Sequence, residues 1–385
     1  MSLVRNDTKL PPDTPSSYYP FNPTSTPYIP PDFCIPTYSA TLKKRYKPVD
    51  QRIHPVPATF PEEARVTRQF PEDPLLSLPS LSTHPPEFIP TKKLTRERLD
   101  ILKINSDGFL SPEEEKLFIM VFTNNEKVLA YNETERGTLR RDYFSDYIIP
   151  VIEHIPWTDP QIPIPPALVE EVVQIVRTKL DIGVFEPSQG SYRSSMFCVP
   201  KTDGKLRGVI DLRTLNSYTI RDAGLPPNLD AFAEPFSAHS IYSSFDLLAG
   251  YDARVLHPKS RDLTSFQTPL GLLRYTVLPM GYTNAVAEFQ NCTSFILQHE
   301  IPHKLGVMMD DIGIKGPPTR YELPDGTYET IPENPGIRRF VWEHAVDVNR
   351  ILHRLAHAGA TISPKKSQVA RPEINLVGQR LTYEG

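Results

Sequence analysis

The chain has 385 residues, 39% of them hydrophobic, a formal net charge of -4 and 42 prolines. This length allows two or three units with a core, and the charge excludes binding of polyanions through bulk positive charge alone. No apolar run approaches 18 residues, no N-terminal leader pattern is present, and Cys34, Cys198 and Cys292 lack zinc spacing; a reducing intracellular location, cytoplasmic or nuclear, is expected rather than secretion or a membrane span.

Residues 1–90 hold 19 of the prolines among Ser, Thr and Tyr with no lasting apolar period, which predicts a disordered or polyproline-like segment, a spacer or a ligand for Pro-binding modules. Residues 91–150 read as a charged helical connector, with Ser111-Pro112-Glu-Glu-Glu as a helix start ahead of Leu117 to Val121. Just before it, Lys103-x-Asn105-x-Asp107-Gly108 with Glu114 at the twelfth position has the outline of a calcium loop. Lys103 at the first ligand position opposes Ca2+, so no EF-hand is expected.

From residue 151 the pattern changes. Leu168, Val172, Val173, Val176 and Leu180 have helical spacing between Pro165 and Gly183. Met196 to Val199 and Arg207 to Leu212 are β-rich runs joined through Asp203-Gly204, a hairpin signal that would bring Lys201, Lys205 and Arg207 together. Clustered cations suit a triphosphate, Arg as a bidentate grip and Lys as a point charge; Lys205 is better read as a solvated turn residue. Ala285, Phe289, Cys292 and Ile296 mark a helix from Asn284 to Gln298 with Thr283 or Asn284 as N-cap. A second helix spans Phe340 to His357, with Val341, Ala345, Val348, Ile351, Leu352 and Leu355 on one face, Arg and His elsewhere, and Gly359 as its stop.

The sharpest chemical signal lies between these helices. Val307-Met308-Met309-Asp310-Asp311-Ile312 puts two carboxylates in an apolar run, and 64 residues before Asp310 another apolar run ends at Asp246. Like charges that close raise one another's pKa unless a cation compensates them, and a hard ion that keeps water and phosphate ligands suits carboxylates. Two such ions support in-line phosphoryl transfer.

The blocks from Ser194 to Asn216, Phe245 to Tyr251, Thr264 to Gly271, Leu278 to Gln290 and the Asp310-Asp311 hairpin resemble, in order and spacing, the reverse transcriptase of LTR retrotransposons, specifically the gypsy type, over about residues 150–385. The resemblance implies a right-hand polymerase, an α+β fold of fingers and palm with an antiparallel palm sheet backed by helices over residues 151–385. It implies RNA- or DNA-templated DNA synthesis from an annealed primer and dNTPs. Two Mg2+ ions, with Mn2+ as a substitute, would be held by Asp246, Asp310 and the Leu247 carbonyl, with Asp311 in support. Lys201 and Arg207 would contact the triphosphate, Tyr251 would lie beneath the sugar and exclude a 2'-hydroxyl, and Met280-Gly281 would line the nucleotide pocket. Lys366 is assigned a proton-donor role toward pyrophosphate; Lys365 and Lys366 read equally well as a surface pair touching backbone phosphates. Pro372 to Gly385, with Gly378 at its turn, matches the hairpin that grips the primer.

Two departures stand out. Val286 replaces a proline that the family usually carries, which a helix accepts readily. Met308 stands where the family has a tyrosine touching the primer-template bases, and methionine cannot donate a hydrogen bond. Altered fidelity or processivity is expected, and the alternative is an inactive remnant that only binds nucleic acid. A complete element would add a thumb, a ribonuclease H domain and usually an integrase, which do not fit in this length, so a polyprotein fragment or a degenerate copy is expected. Finally, Arg338 to Arg371 contains seven Lys/Arg against two Asp/Glu, read as one basic face for a duplex.

Overall fold

The computed structural model describes Val56, residues 58–200, Gly204 and residues 206–384. Lys201 and Lys205 lie outside the described residues, as do residues 1–55 of the Pro-rich segment.

Four long helices organise the described chain: α1 Pro112–Asn124, α2 Val169–Asp181, α3 Ala285–Leu297 and α4 Arg339–His357. The strands are β1 Phe185–Pro187, β2 Met196–Pro200, β3 Leu206–Ile210, β4 Tyr242–Asp246, β5 Phe266–Thr268, β6 Gly271–Tyr275, β7 Leu305–Met308, β8 Asp311–Lys315, β9 Thr330–Ile331, β10 Asn334–Arg338, β11 Gln368–Arg371, β12 Ile374–Leu376 and β13 Gln379–Leu381. The helix starts follow local chemistry. Ser111 caps α1 by accepting from Glu114 N at 3.1 Å while the Glu114 carboxylate accepts from Ser111 N, and Pro112 sits where its missing N–H costs nothing. Gly359, at φ +83°, follows α4, a backbone conformation that favours glycine.

The expected palm sheet forms as β11-β4-β8-β7, antiparallel throughout. Strand periodicity sorts its two faces. Ile241, Phe245, Leu305, Val307, Ile312 and Ile314 point toward α3 and α4 into one large core, which also takes Leu117, Phe118, Val121 and Phe122 of α1. The opposite face carries Tyr242, Met308 and two glycines, Gly306 and Gly313, over which Phe232, Phe236 and Leu376 pack. A third group of apolar residues, from Tyr147 through Tyr282 and Ala285, surrounds α2, the β2–β3 hairpin and the β1-β6-β5 sheet, and forms the expected fingers.

Three sequence expectations change in the folded chain. Residues 58–90 are docked, largely extended but with 3-10 turns at Glu62–Ala64 and Pro74–Ser77: Pro74 is buried, the Pro74 and Pro79 carbonyls accept from His353 and Asn349 of α4, and Ser77 contacts His353 at 3.1 Å. Prolines deny this segment a ladder, yet an extended chain can still be held through its carbonyls. Arg and His do not stay off the buried face of α4: His344 is fully buried, burial pushes its pKa down to about 4, and it meets the Ser243 hydroxyl at 2.8 Å, while Arg354 is buried against Glu300. The predicted N-cap of α3, Asn284, occupies that position without capping, because its amide is used elsewhere.

The calcium-like loop is likewise spoken for. Asn105 bonds Leu110 and Glu115, Glu114 is buried against Arg338 at 2.6 Å, and Asp107 pairs with Arg371 at 2.9 Å.

Candidate active site

The register of the central hairpin brings the carboxylates together. Asp246, the last residue of β4, lies directly opposite Asp311, the first residue of β8, and Met308 of β7 lies opposite Asp311 on its other side. Directly opposed residues on one face have Cβ atoms about 4.5–5.5 Å apart. Met309 and Asp310 make the turn between β7 and β8, with Met309 at φ +56°, and the Asp310 carbonyl accepts from Leu247 N at 2.9 Å. One face thus presents Asp246 and Asp311 at the open end of the sheet, with Asp310 at the turn beside them.

Their electrostatics are those of charge crowded without enough compensation. Burial first, then the charge of Asp310, raise the pKa of Asp246, against the pull of Lys366; burial, Asp310 and Asp246 raise that of Asp311. The Lys366 ammonium lies 2.8 Å from Asp246 Oδ2. Burial works against its charge, but Asp246, with Asp310 and Asp311 behind it, outweighs burial and raises its pKa. Hard oxygen donors with excess negative charge suit a divalent cation. Yet among the described residues no three His, Cys, Asp or Glu side chains are gathered closely enough to enclose a metal, and the cation in contact with Asp246 is Lys366.

Tyr251 is half-buried, its ring 5.3 Å from that of Phe289, and its pKa is raised by burial and by the nearby Asp310. It follows a turn with Ala249 at φ +50° and Gly250, where a Cβ would come within 2.3 Å of the Phe289 ring. The other predicted residues stand on separate elements. Arg207 is exposed on β3, Met280 is 59% exposed beside Gly281 at φ +91°, Lys365 is exposed next to Lys366, and Gly378, at φ +86°, turns the β12–β13 hairpin.

Two expectations about nucleic-acid contacts are corrected. Met308 is 4% exposed and packs with Phe232, Phe236 and Tyr242, so the thioether has become part of the core instead of facing a duplex. The segment Arg338 to Arg371 is not an open basic face either: Arg338 pairs with Glu114, Arg339 with Glu329, Arg350 and Arg354 with Glu300, and Arg371 with Asp107. Summing charge along a segment overlooks partners brought in from outside it.

Gln290, which the sequence suggested only as part of a supporting helix, holds the carboxylate turn. From the buried face of α3 its Oε1 accepts from Met309 N at 2.7 Å, and its Nε2 donates to the Val307 carbonyl at 3.1 Å and to Ser294 Oγ at 3.0 Å. Its place beside Phe289, at the end of the block Leu278 to Gln290, was the available signal.

The comparisons agree with this architecture. The family described as reverse transcriptase (RNA-dependent DNA polymerase) matches residues 199–381. The chain is 26% identical over 278 residues to the Retrovirus-related Pol polyprotein from transposon 297 of Drosophila melanogaster, covering 71% of this chain and 24% of that protein. It is 30% identical over 227 residues to the corresponding polyprotein from transposon 412 of the same organism, covering 57% and 17%, and 28% identical over 214 residues to the enzymatic polyprotein of cauliflower mosaic virus (strain D/H), covering 54% and 28%. The chain therefore spans between 17% and 28% of the length of these relatives. Among solved structures it is similar to the foamy viral protease-reverse transcriptase in complex with RNA/DNA hybrid, at TM-score 0.63 and 22% identity over 78% of this chain and 37% of that one. A second structure of that protein, with double-stranded DNA, gives TM-score 0.63 and 23% identity, covering 78% and 48%. Over residues 199–381 this chain is thus similar to the reverse transcriptase family, and its fold is that of the solved reverse transcriptases.

Proposed function

We propose that the chain extends a primer with deoxynucleotides on an RNA or DNA template, as the fingers and palm of a gypsy-type retrotransposon polymerase. The observation that carries this reading is the cross-strand register of Asp246 and Asp311 with Asp310 at the adjoining turn. Asp246, Asp310 and the Leu247 carbonyl would hold divalent metal, Mg2+ by the chemistry of the donors, with Asp311 in support. Bound there, the metal supplies an activated primer hydroxyl and charge stabilisation in an in-line displacement.

The protein's own groups do the positioning, which is most of the catalysis in phosphoryl transfer. The primer 3'-hydroxyl, its proton passing to solvent, forms a bond to the α-phosphorus as the bond from that phosphorus to the α,β-bridging oxygen breaks and pyrophosphate leaves. Lys201 and Arg207 would neutralise the triphosphate, Tyr251 would lie under the sugar, and the Met280-Gly281 turn would line the pocket. Lys366 orients Asp246 through its ion pair and would give a proton to the leaving pyrophosphate. Lys365 and the Gly378 hairpin would contact the nucleic-acid backbone.

The test is dNTP incorporation on an RNA template with an annealed DNA primer in Mg2+, comparing the wild type with Asp310→Asn. Extension that vanishes in the variant is expected. One observation favours a second reading, a remnant that binds nucleic acid without synthesis: Met308 is buried, so it would not help position the primer end for attack. Duplex binding with no extension by either protein would establish it.

A further inference from the structure

The turn from Pro279 to Asn284 leads directly into α3, a helix of the palm, yet its packing lies with the fingers. Leu278, Tyr282 and Ala285 belong to the fingers core, whereas Phe289, Cys292 and Ile296 of the same helix belong to the palm core. The boundary between the two bodies therefore crosses the first turn of α3.

Two asparagine amides join this turn to the fingers. Asn216, on the short helix Arg213–Tyr218 that follows the β2–β3 hairpin, donates from Nδ2 to the Gly281 carbonyl at 3.0 Å and accepts at Oδ1 from Thr283 N at 2.9 Å. The amide thus pairs with the backbone as a neighbouring strand would, using one donor and one acceptor on either side of Tyr282. Asn284 completes the join from the other side, donating to the Ile220 carbonyl at 2.9 Å and accepting from Asp222 N at 3.1 Å. That use of its amide is why it does not cap α3.

We infer that Asn216 is a positioning residue that makes the Met280-Gly281 turn travel with the fingers, so that the fingers set the shape of the nucleotide pocket. This rests on the reading of that turn as pocket wall. Gly281, at φ +91°, has little conformational restraint of its own, and Met280 beside it is exposed, so the turn depends on external ties for a fixed shape.

The test uses the full chain with Asn216→Ala, Asn216→Asp and, as a control outside the site, Ser217→Ala. Amide hydrogen exchange of residues 281–285 is expected to quicken in both Asn216 variants and to stay at the wild-type rate in the control. In primer extension, losing this pair of bonds should raise KM for dNTP about tenfold while kcat at saturating dNTP stays within about twofold; a tenfold effect corresponds to roughly one good hydrogen bond. Asn216→Asp keeps the acceptor for Thr283 but opposes a carboxylate to the Gly281 carbonyl, and should be at least as impaired as Asn216→Ala. Unchanged exchange at 281–285, or a fall in kcat with KM unaltered, overturns the inference. If the wild type extends no primer, the polymerase reading fails, while faster local exchange in the variants would still establish the tie to the fingers.

Discussion

Replacing Gln290 by methionine keeps the side chain's length and bulk while removing its amide, and so tests whether a residue remote from any substrate governs the carboxylate turn. Gln290 is 7% exposed, and its two backbone partners, Met309 N and the Val307 carbonyl, flank the point where β7 turns toward Asp310 and Asp311. Leaving a buried donor or acceptor unpaired costs about 1–3 kcal/mol each. Because the hairpin tip can relax toward solvent, a total of roughly 2–4 kcal/mol is expected, or about 3–6 °C in Tm for a unit of this size. Met309 holds a left-handed φ of +56°, a conformation that costs a non-glycine residue about 1 kcal/mol and that the Gln290 bond offsets. Released, the turn should lose its fixed geometry, and extension should slow by more than the loss of folded protein at the assay temperature explains. Differential scanning calorimetry with single-turnover extension measures both. A Tm within about 1 °C of wild type, together with an unaltered extension rate, would refute the clamp.

Other outcomes follow from the same structure. Arg254 is 1% exposed, 2.7 Å from Glu288, which also binds Arg68 at 2.9 Å; Arg254→Met should cost about 3 kcal/mol in urea unfolding, the low end for a broken buried pair, because Arg68 still compensates the carboxylate, and adding Arg68→Met should deepen the loss. The folded-state pKa of Asp311 is raised, so ionisation there opposes folding as pH climbs through that pKa. Asp311→Asn in EDTA should therefore melt higher than wild type at neutral pH, with the gap closing below about pH 4, the ordinary aspartate range; equal melting at neutral pH would contradict it. Tyr251→Ala should admit ribonucleotides in a primer-extension competition, and unchanged selectivity would remove the proposed gate beneath the sugar.

Much of the fold was legible because it is written in local periods. The helices at 112–124, 169–181, 285–297 and 339–357 follow apolar spacing, caps and a glycine stop, and the Asp203-Gly204 and Val377-Gly378 turns announce hairpins whose strands pair as expected. The three aspartates could be singled out because carboxylates at the end of apolar runs are costly without a purpose. What could not be read was which charges find partners. Glu114 and Arg338 are 224 residues apart, and Lys366 and Asp246 are 120 apart, so a basic stretch in the sequence became a set of ion pairs, and a lysine assigned to phosphate came to rest on a carboxylate.

By itself the sequence determined the elements, the spacing of the carboxylates and the blocks that resemble a reverse transcriptase. Only the tertiary structure decided that Asp246 faces Asp311, that Gln290 holds their turn, that Met308 is core, and that Asn216 ties the Met280-Gly281 turn to the fingers. The physical reason is one of range. Helix and turn preferences act between residues a few positions apart, whereas strand register, ion pairing and the burial of a polar side chain are set by which distant segments share the same small volume.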